Sequence, residues 1–353
     1  MKRAVRAAMA VALLAACEPP QPGVRAAQSI AAREVAQPTA LAVTGGKPLA
    51  KPAAPVATAP SEPASTATDR LRVRTVRQFG WGSGPAQLGH VHQGEQNPEA
   101  PMALDVDAQG NVFILDQVNE RIVLARRDGS LGQIAAPRTA QDLLVVGAQA
   151  WLLDRLVARE LQRVDLASGA VLQQVPLAAI EEPGALSALW AHGGDLYGEL
   201  GHGALRRLAS LQGTSRSDHL LLGRPTADGQ RRLTAARVPP DQVTVQVRRL
   251  ADPDGAAPVR NLLAAVPAEV QQVVELGSDA MGRIWLVADL GDAKYPRRQV
   301  LAWEDNATEP RRADLAPWRG PEETFRPAKL APNGHLLALG LSDQGMTLQE
   351  VAP

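Results

Sequence analysis

The strongest constraint on the fold is a repeating texture of short strands. "ALDVDAQGNVFILDQVNERIVLARRDGSLGQIA" (103–135) divides into four apolar runs, 103–106, 111–115, 121–125 and 131–135. The turns between them are Asp-Ala-Gln-Gly at 107–110 and Arg-Asp-Gly at 127–129, where glycine tolerates the positive φ that tight turns require. "DLLVVGAQAWLLDRLVARELQRVDLASGAVLQQV" (142–175) repeats the rhythm with a turn at Ala-Ser-Gly, 167–169. Further copies begin at 185 and 273, and a last one at 328–351 supplies only three runs. The period is about 35–45 residues, and long amphipathic helices are hard to find between 70 and 353.

A four-stranded unit of this size cannot bury both faces alone, so the units must stack. The expectation is an all-β propeller. The chain lacks a fourth run in its last copy, and "LRVRTVRQF" (71–79) is a strand candidate with no partner of its own. The economical solution is that 71–79 completes the last blade and closes the ring. Six four-stranded blades follow if 219–266 forms one. Within that stretch only "QVTVQVRRL" (242–250) reads clearly as a strand, so five or seven blades, or a β-sandwich pair, are the competing counts.

The first copy also carries Asp-x-x-Gly followed by four apolar residues and Asp116, then Asn119, Arg121 and Ile122. This resembles the NHL repeat, a β-propeller family. The second copy keeps Asp154 and Arg159 at the same separation, with Val157 in place of the Asn, and the later copy keeps Asp289 before an insertion and Arg298. Because the pattern recurs, these polar residues are expected to satisfy backbone groups around the turn rather than bind a ligand. Trp151 and Trp285 occupy the second-run position of Phe113 and Tyr197, which predicts packing between blades.

The N-terminus sets a different expectation. Lys2, Arg3 and Arg6 precede a ten-residue apolar run, 7–16, too short to cross a bilayer, which takes roughly 20 residues. Leu14-Ala15-Ala16-Cys17 resembles the bacterial lipobox, and Cys17 is the chain's one cysteine. The resemblance implies a lipoprotein signal peptide at 1–16, cleavage before Cys17 and diacylglycerol and acyl groups on that residue; an ordinary secretory signal cut near Ala16 is the competing reading. Glu18, rather than Asp, follows the cysteine, which favours the outer over the inner membrane of the cell envelope. Residues 17–69 are rich in Ala and Pro and contain no aromatic residue, as in "KPLAKPAAPVATAPSEPASTAT" (47–68). They read as a disordered tether spanning roughly 40 Å as a random coil, leaving 70–353 as the folded domain.

Loss of Lys2, Arg3 and Arg6 takes the basic count from 37 to 34 against 37 acidic residues, so nothing argues for a nucleic-acid partner. No His-Glu-x-x-His helix, Gly-x-Ser-x-Gly elbow or Walker-type loop is present. Trp81, flanked by glycines, and Trp318, in "LAPWRGPEE", are candidate partner contacts on loops. His90 and His92, two apart, with Glu95 nearby, are a candidate metal set, although most such histidines are solvated loop residues. No cofactor is predicted beyond the lipid. The first runs are mainly apolar, but Asp105, Asp107 and Glu275 are placed to approach a propeller axis. The leading reading is a membrane-anchored, non-enzymatic module that binds or scaffolds a protein or glycan. A metal-dependent propeller hydrolase or lactonase and an envelope-assembly factor are the competing ones.

Overall fold

The computed structural model describes residues 70–353 other than 93–97, 179, 202, 213–218, 292–293 and 332. The signal segment 1–16, Cys17, the tether to residue 69 and Glu95 lie outside the described residues. The described chain is almost wholly strand and turn, arranged as a six-blade β-propeller. Among these residues no helix is long and apolar enough to cross a membrane.

The first blade holds β3 (Ala103–Val106), β4 (Val112–Asp116), β5 (Arg121–Ala125) and β6 (Leu131–Ala135). The second is β7 (Asp142–Val146), β8 (Gln149–Asp154), β9 (Glu160–Asp165) and β10 (Val171–Pro176), and the third β11 (Leu186–His192), β12 (Asp195–Leu200), β13 (Ala204–Ser210) and β14 (Leu220–Leu222). The ambiguous stretch 219–266 is divided. Its first residues end the third blade, and the rest form the fourth: β15 (Arg224–Pro225), β16 (Arg231–Val238), β17 (Gln242–Arg249) and β18 (Arg260–Ala265). The fifth contains β19 (Val270–Ser278), β20 (Ile284–Leu290), β21 (Arg297–Trp303) and β22 (Arg311–Leu315).

The sixth blade has β23 (Ala328–Leu330), β24 (Leu336–Ser342) and β25 (Gly345–Ala352), and its fourth strand is β1 (Arg72–Trp81) from the start of the domain. β1 runs antiparallel to β25 from Arg72 opposite Ala352 to Gly80 opposite Gly345, with one register shift between Thr75 and Arg77. A two-residue β2 (Gln87–Leu88) adds to its outer edge in parallel. At Gly345 (φ 144°) a Cβ would collide with the Phe79 carbonyl, so the hairpin needs glycine there to let β1 dock.

Within each blade the strands alternate in direction. The second-to-third-strand turns and the blade-to-blade connections therefore emerge at one end of the ring, here called the loop face. First strands neighbour one another around the axis: β3 meets β7, β7 meets β11, β19 meets β23, and β23 meets β3.

Five apolar clusters hold neighbouring blades together among the described residues. Phe113 packs with Leu143 and Leu152 between the first and second blades, and Trp151 with Leu186 and Leu189 between the second and third. Val245 packs with Leu286 between the fourth and fifth, and Trp285 with Leu336 between the fifth and sixth. Phe79 on β1, buried to 1% exposure, joins Leu104 and Ile114 to Leu339 and Leu348 across the seam where the ring closes. The predicted inter-blade role of Trp151 and Trp285 is what the fold uses. None of the five clusters spans the third and fourth blades. That seam is bridged instead by Arg224, buried and paired in a fork with Glu199, Nε to Oε1 at 2.8 Å and Nη2 to Oε2 at 2.9 Å.

Candidate functional site

The axis is polar, contrary to the apolar reading of its strands. Asp105 and Glu275 do face it, whereas Asp107 stays in its turn, accepting bonds from the Asn111 backbone and side chain. Around them stand Asp142, Arg224, Arg326, Lys329 and the half-buried Trp190. Arg326, just before β23, reaches across the axis, donating to the carbonyls of Leu143 and Leu189 and pairing with Asp142 at 3.0 Å. Asp142 Oδ2 accepts from the Leu189 amide at 2.6 Å, and Asp105 Oδ2 from the Val145 amide at 2.6 Å. Lys329 Nζ lies 3.5 Å from Asp105 Oδ1, and both Lys329 and Arg224 sit over the Trp190 ring, at 4.9 and 4.6 Å.

Burial decides the protonation here. It pushes the Asp142 carboxyl up to about 6 against the pull of Arg326, and raises Glu275 against Arg224 and Lys329. Asp142 is engaged by Arg326 and the Leu189 amide, whereas Glu275 meets Arg224 only at 3.9 Å. Chemically, the axis is a buried ion-pair network that ties blades to one another.

The loop face brings four sequence candidates into one neighbourhood. Trp81 stacks on His90 with ring centroids 4.3 Å apart, and His90 stacks on His92 at 5.6 Å. Trp318 Nε1 donates to the Glu322 carbonyl at 2.9 Å, and Trp81 Nε1 to the Ser342 carbonyl at 3.2 Å. Both tryptophans are half-buried against the cluster that closes the ring. The acid that joins the histidines is Glu322, from the connection between the fifth and sixth blades. Its Oε1 lies 2.7 Å from His90 Nε2 and 3.1 Å from His92 Nδ1. No local signal marked Glu322, which stands 230 residues away from His92 in the chain.

The motif residues act structurally, in two different ways. Asp116 Oδ2 accepts from Arg121 Nε at 2.9 Å and Asn119 Nδ2 at 2.8 Å, and its Oδ1 accepts from the Gly89 amide. Arg121 also donates to the carbonyls of Ser83, Gly84 and Gln87, and Asn119 to that of Gly82. The set thus pins the incoming connection 82–89 rather than its own turn. Asp289 and Arg298 face each other across β20 and β21 and form a fork at 2.6 and 2.9 Å, with Arg298 wholly buried and donating on to Leu339 of the next blade.

The second blade departs from the pattern. Asp154 faces Glu160, not Arg159, across the β8–β9 pair. The hairpin is one residue longer there, so Arg159 is exposed in a left-handed turn (φ 52°), and Asp154 caps the amides of Leu156 and Val157 instead.

Beside Trp318 two concave regions open on the same face. One, of about 770 Å³, is lined by Tyr295, Arg297, Trp318 and Arg319; the other, of about 350 Å³, by Gln272, Asp289, Trp318 and Glu322.

No protein-family model matches the chain, and no curated protein matches it. Among solved structures, a chain of a mitotic checkpoint complex is 12% identical, with 87% of this chain and 99% of that chain covered and a TM-score of 0.47. A virginiamycin B lyase from Staphylococcus aureus is 8% identical over 80% of this chain and all of that chain, with a TM-score of 0.41. Hsv2 from Kluyveromyces lactis is 10% identical over 71% of this chain and 97% of that one, at 0.42. These are likenesses of fold alone.

Proposed function

We propose that this is an envelope lipoprotein, anchored through acyl groups on Cys17, whose propeller is a binding or scaffolding module for a protein or glycan. The observation that carries the binding role is the make-up of the loop face. There Leu156, Val157 and Tyr295 are 53%, 70% and 65% exposed, and the cleft beside Trp318 adds an aromatic wall with Arg297 and Arg319. Exposed apolar and aromatic side chains with arginine at a rim are what contact surfaces are made of. The anchor rests on the sequence of residues 2–18, and the outer membrane on Glu18. A hydrolase working from a metal in the central channel is disfavoured by the cations already paired with Asp142 and Asp105, at 3.0 and 3.5 Å.

The test is photo-crosslinking in intact envelopes from positions 157, 295 and 318, with Cys17→Ala as the companion. The proposal expects one or two dominant partners crosslinked from the loop face, and release of the Cys17→Ala protein from membranes. Diffuse crosslinks would remove the binding role, and membrane retention of the Cys17→Ala protein would remove the anchor.

A further inference from the structure

We propose that His90, His92 and Glu322 bind a divalent transition-metal ion of the zinc class, leaving at least one coordination position open to solvent. Three donor atoms of the right kind converge: His90 Nε2, His92 Nδ1 and a Glu322 oxygen all lie within 4.8 Å of one another. An ion held at about 2.0–2.2 Å by each donor needs them roughly 3.3 Å apart, so small side-chain shifts close the site. Two imidazoles and one carboxylate form the donor set of open zinc sites, in which water or a substrate takes the remaining place. Hard ions such as Mg2+ and Ca2+ prefer all-oxygen shells and fit it poorly.

The residues are held for this purpose by the backbone and by stacking. Val91 exchanges two backbone hydrogen bonds with Glu99, both 2.9 Å, and Glu99 in turn bridges Glu323 in parallel. Glu99 thus lies between the segment carrying His90 and His92 and the one carrying Glu322, and the two histidines, at i and i+2 of an extended stretch, share a face. The Gly89 amide is tied to the buried Asp116 carboxylate immediately before His90. The His90 ring stacks on both Trp81 and His92, within 21° and 19° of coplanar, which restrains its plane.

Glu322 supplies the independent observation. Its side chain is only 2% exposed, and its Oε2 has no hydrogen-bond partner among the described residues. Gly320 makes room for that carboxylate, because a Cβ there would collide with Oε2. A buried carboxylate that meets, among the described residues, only two imidazoles and leaves one oxygen unsatisfied is costly as a purely structural element. A bound cation removes that cost. His92, with its side chain 59% exposed, marks the solvent side on which the open position lies.

The test is zinc titration of the full-length chain in detergent near neutral pH, read by competition with a chromogenic chelator. Mg2+ and Ca2+ serve as comparators, and a Cys17→Ser sample is run in parallel. The proposal expects one equivalent of zinc, retained in Cys17→Ser. Affinity should fall at least about 100-fold in His92→Ala, whose exposed side chain makes folding loss a minor concern, and similarly in Glu322→Gln. Co2+ should give the visible absorption of a four- or five-coordinate site, lost in both variants. Equal affinity in wild type and His92→Ala, zinc binding no tighter than Mg2+, or binding that disappears in Cys17→Ser would each overturn the proposal.

Discussion

Phe79→Ala tests whether the ring is one cooperative body closed by β1. Phe79 is 1% exposed and packs into the cluster shared by the first and sixth blades, so its truncation removes a large ring from a seam that joins the two ends of the domain. Phenylalanine-to-alanine changes in a packed core cost about 3–5 kcal/mol. A domain of roughly 280 residues unfolds with an entropy of about 0.6 kcal/mol/K, so a loss of about 4 kcal/mol lowers Tm by about 7 °C. Val76, on the same strand but 43% exposed, is the control, and Val76→Ser should stay within about 0.5 kcal/mol. Calorimetry gives Tm, and native-state hydrogen exchange gives the spread of the effect. Amides of the first and fifth blades should lose protection together with those of the sixth, because an opened seam exposes edges on both sides. A shift below about 2 °C, or exchange confined to β1 and β25, would refute closure as the source of cooperativity.

Other expectations follow from the buried charges and turns. Asp142 has its carboxyl raised from 3.8 to about 6, so the folded state favours its protonated form. This group's contribution to stability is full below about pH 4 and is lost as pH rises through 6; urea titrations of wild type against Asp142→Asn should therefore diverge across that window, with only wild type carrying the loss. Asp289→Ala strands the wholly buried Arg298 and should cost about 3–5 kcal/mol, whereas replacing both residues with leucine should recover much of that in a double-mutant cycle. Arg121→Ala should cost a comparable amount, because it leaves Asp116 buried and frees the 82–89 connection, while Arg159→Ala in the second blade should change chemical denaturation by less than about 0.5 kcal/mol. Gly345→Ala should lower Tm, since it drives a methyl group into the Phe79 carbonyl.

Much of the ring can be read along the chain because a blade is a local object. Three of the first blade's four strands fall on the predicted spans, and β4 starts and ends one residue later than its apolar run. The partner of 71–79 is inferable because a missing strand at one end and a spare one at the other have a single economical solution. The fourth blade resists such reading for a physical reason: its first strand is only Arg224–Pro225, and β16 is rich in arginine and alanine, so no apolar run announces either. Arg159 misleads because equal sequence separation does not survive a hairpin one residue longer. The axis and the loop-face cluster are illegible for a common reason. Arg326 meets Asp142, and Glu322 meets His90, only because closure brings residues from different blades together, and no spacing rule spans 232 residues.

The seam between the third and fourth blades has a bearing on how such a ring comes apart. Its joint is ionic, yet the chain crosses it by a single residue, Gly223 (φ 91°), between β14 and β15, and a Cβ there would strike the Leu233 carbonyl. The opposite situation holds at the sixth and first blades, where the chain crosses by the long connection 82–102 from β1 to β3 and the packing is apolar. Glue and thread are thus complementary: the joint with the least grease is stitched most tightly by the backbone, and the joint crossed by a long connection is greased. A cut at Gly223 should consequently do more harm than its position in a surface connection suggests. It would leave the Arg224–Glu199 fork as the main latch of that joint, in a ring whose other seams are apolar. Because the cost of desolvating ions falls on warming while apolar contacts weaken on cooling, such a nicked ring should hold this latch better, relative to its other joints, when warm than when cold.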